Sequence, residues 1–122
     1  ITPTPEKNEK VNKVAKEAQV QYHYAEKTIE VIRNLKDQRL PIIGVEKTPL
    51  SVPLNNEVIE NRGVYIFGNE EYGISKDILE LCDHVVYIPM MGKKNSMNVS
   101  VASGIVLFKA LENYMVKKDL EK

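Results

Sequence analysis

Val64-Tyr65-Ile66-Phe67-Gly68-Asn69-Glu70-Glu71-Tyr72-Gly73 carries an uninterrupted apolar run, bounded by Gly63 and Gly68, into a turn with a glycine at each end. Such a run leaves no polar face for water, which is the pattern of a parallel strand covered on both sides. Downstream, Ser75 is suited to cap a helix through Ile78, Leu79 and Leu81, and Val85-Val86-Tyr87-Ile88 reads as another strand, ended by Pro89. Upstream, Pro41 bars helix continuation and Ile42-Ile43-Gly44-Val45 repeats the continuous apolar pattern. Strands alternating with helices predict a mostly parallel α/β sheet, and ligands of such sheets gather beyond the carboxyl ends of the strands. The loops after Phe67 and after Ile88 occupy that position.

The flanks fit the same plan. Ile29, Ile32 and Leu35 recur at helical spacing after Ala25, with Glu26, Glu30 and Arg33 on the solvent side. Val11, Val14, Ala15 and Ala18 predict a short helix, and Val20 to Tyr24 a half-buried strand. Residues 46–62 hold Pro49, Pro53 and Asn55-Asn56, the composition of a long connection, with one helical turn expected near Glu57 to Asn61. From Val99 to Val116 apolar residues cover most of a helix circumference, so that helix is expected to be largely buried.

Composition narrows the partners. The 122 residues carry 17 Lys+Arg against 17 Asp+Glu, with 43% hydrophobic and 28% charged residues, the profile of one globular domain. A pI of about 6.9 excludes nucleic-acid binding through bulk positive charge; an RNA partner must be held by a local patch. The lone Cys82 cannot form an internal disulfide and points to an intracellular, reducing compartment, cytoplasmic first, with nucleus and organelles open. No run approaches the roughly 18 consecutive apolar residues of a membrane span, so no membrane partner is expected. His23 and His84 lack ligands at metal-binding spacing, and no metal is expected. The opening Ile1-Thr2-Pro3-Thr4-Pro5 has neither a signal peptide's apolar core nor an initiator Met, which places the natural start upstream as an expectation.

Two loops can carry chemistry. In Gly68-Asn69-Glu70-Glu71-Tyr72-Gly73 the glycines allow close approach of backbone amides to a ligand. No Lys-Ser/Thr follows Gly73, so this is not a Walker motif, and the third glycine of a dinucleotide fingerprint is missing. Adjacent Glu70 and Glu71 suit a cationic or hydroxyl-bearing ligand better than a phosphate. The second loop, Ile88-Pro89-Met90-Met91-Gly92-Lys93-Lys94-Asn95-Ser96-Met97-Asn98, combines an adaptable methionine surface with small polar groups at a helix entrance. Helix capping is the plain structural reading of Ser96 and Asn98, and core filling that of the methionines.

Taken together, Ile66 to Ile74, Ile88 to Gly92 and Ser96-Met97-Asn98-Val99-Ser100-Val101-Ala102 closely resemble motifs 2 and 3 of the SpoU (TrmH) family of RNA ribose 2'-O-methyltransferases, within the SPOUT superfamily. The resemblance weakens back to about Val11 and includes Ile42 to Thr48, slightly closer to the tRNA guanosine-modifying relatives. It implies a Rossmann-like α/β fold with a C-terminal trefoil knot and a pocket for S-adenosyl-L-methionine. Carried over by position, cofactor binding falls on Val45, Phe67, Gly68, Ile88, Met90, Gly92 and Met97, and the catalytic side on Glu70, Ser96 and Asn98. A Gly68→Val change is expected to fill the adenine approach. The implied reaction is methyl transfer to a ribose 2'-hydroxyl of tRNA or rRNA, by a homodimer packed through the C-terminal helix. The family's arginine lies in an N-x-G-x-x-x-R type motif 1 that is not found between Ile1 and Lys122; Asn61-Arg62-Gly63 stands in another context. Residues 1–122 are therefore expected to be a partial SpoU-type domain lacking motif 1. A noncatalytic methyltransferase-like RNA-binding or dimerisation module, and an unrelated doubly wound nucleotide-binding or receiver-like domain, are the alternatives.

Overall fold

The computed structural model describes residues 21, 23–55, 59, 62–69, 71–91 and 98–120. The expected helix around Val11 to Ala18, Val20 and Tyr22 of the expected strand, and most of the expected turn near Glu57 to Asn61 lie outside them; Gln21, His23 and Tyr24 are exposed and belong to none of the named strands, so the expected half-buried strand is not met at those positions. In chain order the elements are α1 (Thr28–Asp37), β1 (Ile42–Val45), β2 (Val52–Pro53), β3 (Val64–Phe67), α2 (Lys76–Leu81), β4 (His84–Tyr87) and α3 (Val99–Leu120).

The sheet runs β2-β4-β1-β3 with every pairing parallel. β1 is central, with Ile43 registered on Tyr65 of β3 and on His84 of β4. Its Ile42 and Ile43 have no solvent exposure, as the apolar run requires. Chain connections leave β1 toward neighbours on both sides, which opens a crevice at the carboxyl ends of β1, β3 and β4.

β2 was not foreseen within the long connection. It is two residues at the sheet edge, where Pro53 is tolerated because no neighbour needs its missing N–H, and Leu54 N–H donates to the Tyr87 carbonyl at 2.8 Å. β4 begins one residue before the expected Val85, because His84 still pairs with Ile43; Ile88 falls past the last pairing. α1 starts at Thr28 rather than Ala25, since Lys27 is extended (φ −112°, ψ 93°).

The amino end of the sheet is fastened by Asp83. Its Oδ2 accepts the Ile42 N–H at 2.8 Å and its own N–H donates to the Ile42 carbonyl at 2.7 Å. Lys36 of α1 donates to Asp83 Oδ1 at 3.0 Å and to the Leu81 carbonyl at 2.9 Å. The Ile42 N–H bond is the main cause that holds the Asp83 carboxyl below its ordinary pKa; burial pushes it back up, and Lys36 lowers it further. Neighbouring Cys82 goes the other way: burial first, then the Asp83 charge, raises its thiol. α1 ends on Arg39 at φ 62°, a left-handed position that glycine usually fills, with Arg39 N–H donating to Lys36 (2.9 Å) and Leu40 N–H to Leu35 (3.4 Å).

α3 departs most from expectation. It has 22 residues and continues past Val116 to Leu120, and only the stripe Ala102, Val106, Ala110 and Asn113 is buried. Val106 and Ala110 pack with Ile59 of the long connection, against Val45, Leu54, Tyr65, Phe67 and Ile88, and Asn113 Nδ2 donates to the Ile59 carbonyl at 3.5 Å. Val101, Leu107, Phe108, Leu111, Met115 and Val116 are each more than half exposed. The expectation of a largely buried helix is therefore not met within a single chain: one sheet and one loop can cover only one side of a cylinder. By length and composition alone α3 could cross a membrane, yet the Lys109–Glu112 contact (3.4 Å) and the stripe against Ile59 are those of a helix docked on its own domain.

Candidate functional site

The crevice at the strand ends is a cavity of about 410 Å³, within the size range of small-molecule sites. Val45 closes β1, Phe67 closes β3 with Gly68 just past it, Tyr87 closes β4 with Ile88 and Met90 following, and Val99 with Ala102 from the first turns of α3 form the far wall. Five residues expected at the cofactor, Val45, Phe67, Gly68, Ile88 and Met90, thus meet on one cavity. Glu70, Gly92, Ser96 and Met97 lie outside the described residues, as do Lys93 and Lys94.

Asn98 stands at the mouth of α3. Its Oδ1 accepts the Ser100 N–H at 2.8 Å and its carbonyl accepts the Ala102 N–H at 2.9 Å, so the side chain caps the helix. In this arrangement its side-chain oxygen is turned to the backbone.

The loop after β3 owes its shape to its glycines. Asn69 and Gly73 exchange backbone hydrogen bonds at 3.2 and 2.8 Å, and Asn69 Oδ1 accepts the Glu71 N–H at 2.7 Å and the Tyr72 N–H at 3.3 Å. Gly73 has φ +72°, where a side chain is strained. A Cβ on Gly68 would lie 2.5 Å from the Gly73 carbonyl carbon and 2.6 Å from the Ile74 nitrogen. This corrects the expected reason for Gly68: a larger residue there collides first with its own loop, not with a ligand in the cavity.

The expected wall after Val45 consists of Glu46 and Lys47. Glu46 Oε1 accepts the Ile74 N–H at 2.9 Å across 28 residues of chain, and Lys47 Nζ stands 5.6 Å above the Tyr87 ring. Neither contact has a spacing that motif reading can detect; their only signal is a position just past a central strand. The site thus offers an apolar wall for a flat aromatic group, close backbone approach at Gly68, and the carboxylates of Glu46 and Glu71 for a positively charged one. S-adenosylmethionine, an adenine nucleoside carrying a sulfonium, matches each of these features. Among the described residues no group of three His, Cys, Asp or Glu is placed to hold a metal ion.

A parallel sheet with a glycine-bounded cavity at its switch point defines an α/β domain built to hold a nucleoside-sized ligand. A family model described as the SpoU rRNA Methylase family matches residues 2–108, and the chain belongs to that family. It is 31% identical over 107 residues to a tRNA (guanosine(18)-2'-O)-methyltransferase of Aquifex aeolicus, covering 85% of this chain and 51% of that protein. The solved structure of the A. aeolicus TrmH/SpoU tRNA modifying enzyme superposes with a TM-score of 0.81 at 27% identity, covering 95% of this chain and 59% of the other. The SpoU methyltransferase AviRb from Streptomyces viridochromogenes, solved with the cofactor AdoMet, shares the fold at a TM-score of 0.70, with 19% identity over 87% of this chain and 44% of its own. The chain thus spans about half the length of the curated relative it matches.

Proposed function

We propose that this chain forms the cofactor-binding part of an S-adenosylmethionine-dependent RNA methyltransferase acting on a ribose 2'-hydroxyl, with tRNA guanosine ahead of rRNA as target. The observation that carries the reading is the convergence of Val45, Phe67, Gly68, Ile88 and Met90 on one cavity of a SpoU-family fold. The relatives' printed activities, and the AdoMet bound to AviRb, support the cofactor and the reaction class.

When bound, the cofactor supplies the methyl group. The chain's own contribution is placement: Val45, Phe67, Ile88 and Met90 would hold the apolar part of the cofactor, and the carboxylates of Glu46 and Glu71 would favour its sulfonium over a neutral group. Holding a hydroxyl and a methyl donor in line supplies much of the rate in such displacements. Glu70, Ser96 and Asn98 remain our assignment for the catalytic side, with the capping role of Asn98 ordering the first turn of α3 beside the cavity.

The same reading includes a homodimer through α3 and a knotted C-terminal segment. The dimer is supported by the apolar residues on the sides of α3 that its own domain leaves exposed, Leu107, Phe108, Leu111 and Met115 among them. The knot is carried over from the family to which the chain belongs. Titration calorimetry with S-adenosylhomocysteine tests the pocket, and methyl transfer to tRNA and rRNA transcripts tests the reaction. A folded chain that gives no isotherm would overturn the assignment.

A further inference from the structure

We propose that Glu46 is a positioning residue for the cofactor loop, a carboxylate latch that sets residues 68–74 against the central strand. The inference rests on the cofactor reading above and adds a residue role to it.

The loop's internal bonds, Asn69 with Gly73 and Asn69 Oδ1 with the Glu71 and Tyr72 amides, close it on itself but do not fix it to the sheet. Glu46 does. Its backbone is anchored by its N–H donating to the Val86 carbonyl at 2.9 Å, and its side chain crosses to accept the Ile74 N–H at 2.9 Å. Ile74 is buried, so the amide it presents is one whose loss of a partner is costly. The fit is specific to glycine at the neighbouring position: a Cβ on Gly73 would run into Glu46 Oε1, so the carboxylate occupies the room that the absent side chain leaves. Glu46, Gly68 and Gly73 all line the same cavity, so moving the latch moves a wall of the site. A charged acceptor suits this task, because charge-assisted bonds to backbone amides are shorter and stronger than neutral ones.

The test compares wild type, Glu46→Ala, Glu46→Asp and Glu46→Gln by calorimetry with S-adenosylhomocysteine, alongside amide hydrogen exchange at Ile74 in the free chain. Glu46→Ala is expected to weaken binding roughly tenfold or more and to speed Ile74 exchange by a similar factor. Glu46→Asp, one methylene too short to reach, is expected to follow it, which keeps the test intact if the alanine variant does not fold. Glu46→Gln, which retains an oxygen acceptor, is expected to return both readouts to within a few-fold of wild type. Unchanged Ile74 exchange in Glu46→Ala would overturn the latch. Fast exchange with undiminished binding would reduce it to a purely structural contact and overturn the positioning role. Failure of the cofactor reading shows separately, as a wild-type chain that binds no S-adenosylhomocysteine while its Ile74 amide stays protected.

Discussion

Replacing Asp83 probes how the far end of the sheet is held. In Asp83→Ala the Ile42 N–H, at a fully buried residue, loses its carboxylate acceptor and Lys36 loses its ion partner. A bond from a backbone amide to a charged acceptor is worth about 1.5–3 kcal/mol, and a half-exposed ion pair a few tenths. Because the Asp83 side chain is 42% exposed, the lower end applies, and a loss of about 1.5–2 kcal/mol is expected. For a domain of this size that lowers the melting temperature by roughly 5–10 °C. Asp83→Asn keeps an oxygen for Ile42 but turns an amide toward Lys36, so it should lose about half as much. The folded-state pKa of Asp83 is depressed, so its stabilisation is present above the ordinary carboxylate value and is lost as pH falls through the lower folded value. Urea unfolding at pH 7 and near pH 3 should therefore show the gap between wild type and Asp83→Ala narrowing in acid. A gap under about 0.5 kcal/mol at pH 7, or one that stays constant into acid, would refute the reasoning.

Other expectations are as direct. Gly68→Ala should abolish S-adenosylhomocysteine binding through loop opening, seen as chemical-shift changes at Gly73 and Ile74 that persist without ligand; unchanged shifts there would point to a different cause. Cys82, its thiol raised by burial, should react with a disulfide reagent at pH 8 more than tenfold slower in the folded chain than in urea, and equal rates would contradict its placement. Phe108→Glu, at a residue 65% exposed on α3, should leave the fold intact by circular dichroism and convert a dimer to a monomer by light scattering; a monomeric wild type would remove the dimer reading.

What the sequence disclosed depended on the range of the forces involved. β1 and β3 were legible at their observed bounds because each is an unbroken apolar run, although only β1 is buried and β3, at the sheet edge, is half-buried along its length. β4 shifted by one residue, since its start depends on the Ile43–His84 pairing and not on hydropathy. β2 was hidden because its two residues borrow their strand character from Val86 and Tyr87. α3 ran beyond Val116 because Lys117 to Leu120 contain no stop signal. At the site, the strand-end residues followed from the switch-point rule, and the motif resemblance named them. The partnerships of Asp83 with Ile42 and of Glu46 with Ile74 were not legible, because each joins positions separated by 41 and 28 residues and depends on the finished sheet.

The contact between Gly68 and the Gly73-Ile74 backbone also separates what the loop must keep from what it can change. Its course is set at its two ends, by the missing side chains of Gly68 and Gly73, and by Asn69 within. Tyr72, with 81% exposure, contributes only its backbone amide to the turn. Its side chain can be exchanged for others without disturbing the frame, so the rim of the cavity can vary at this position while the loop beneath it keeps its course.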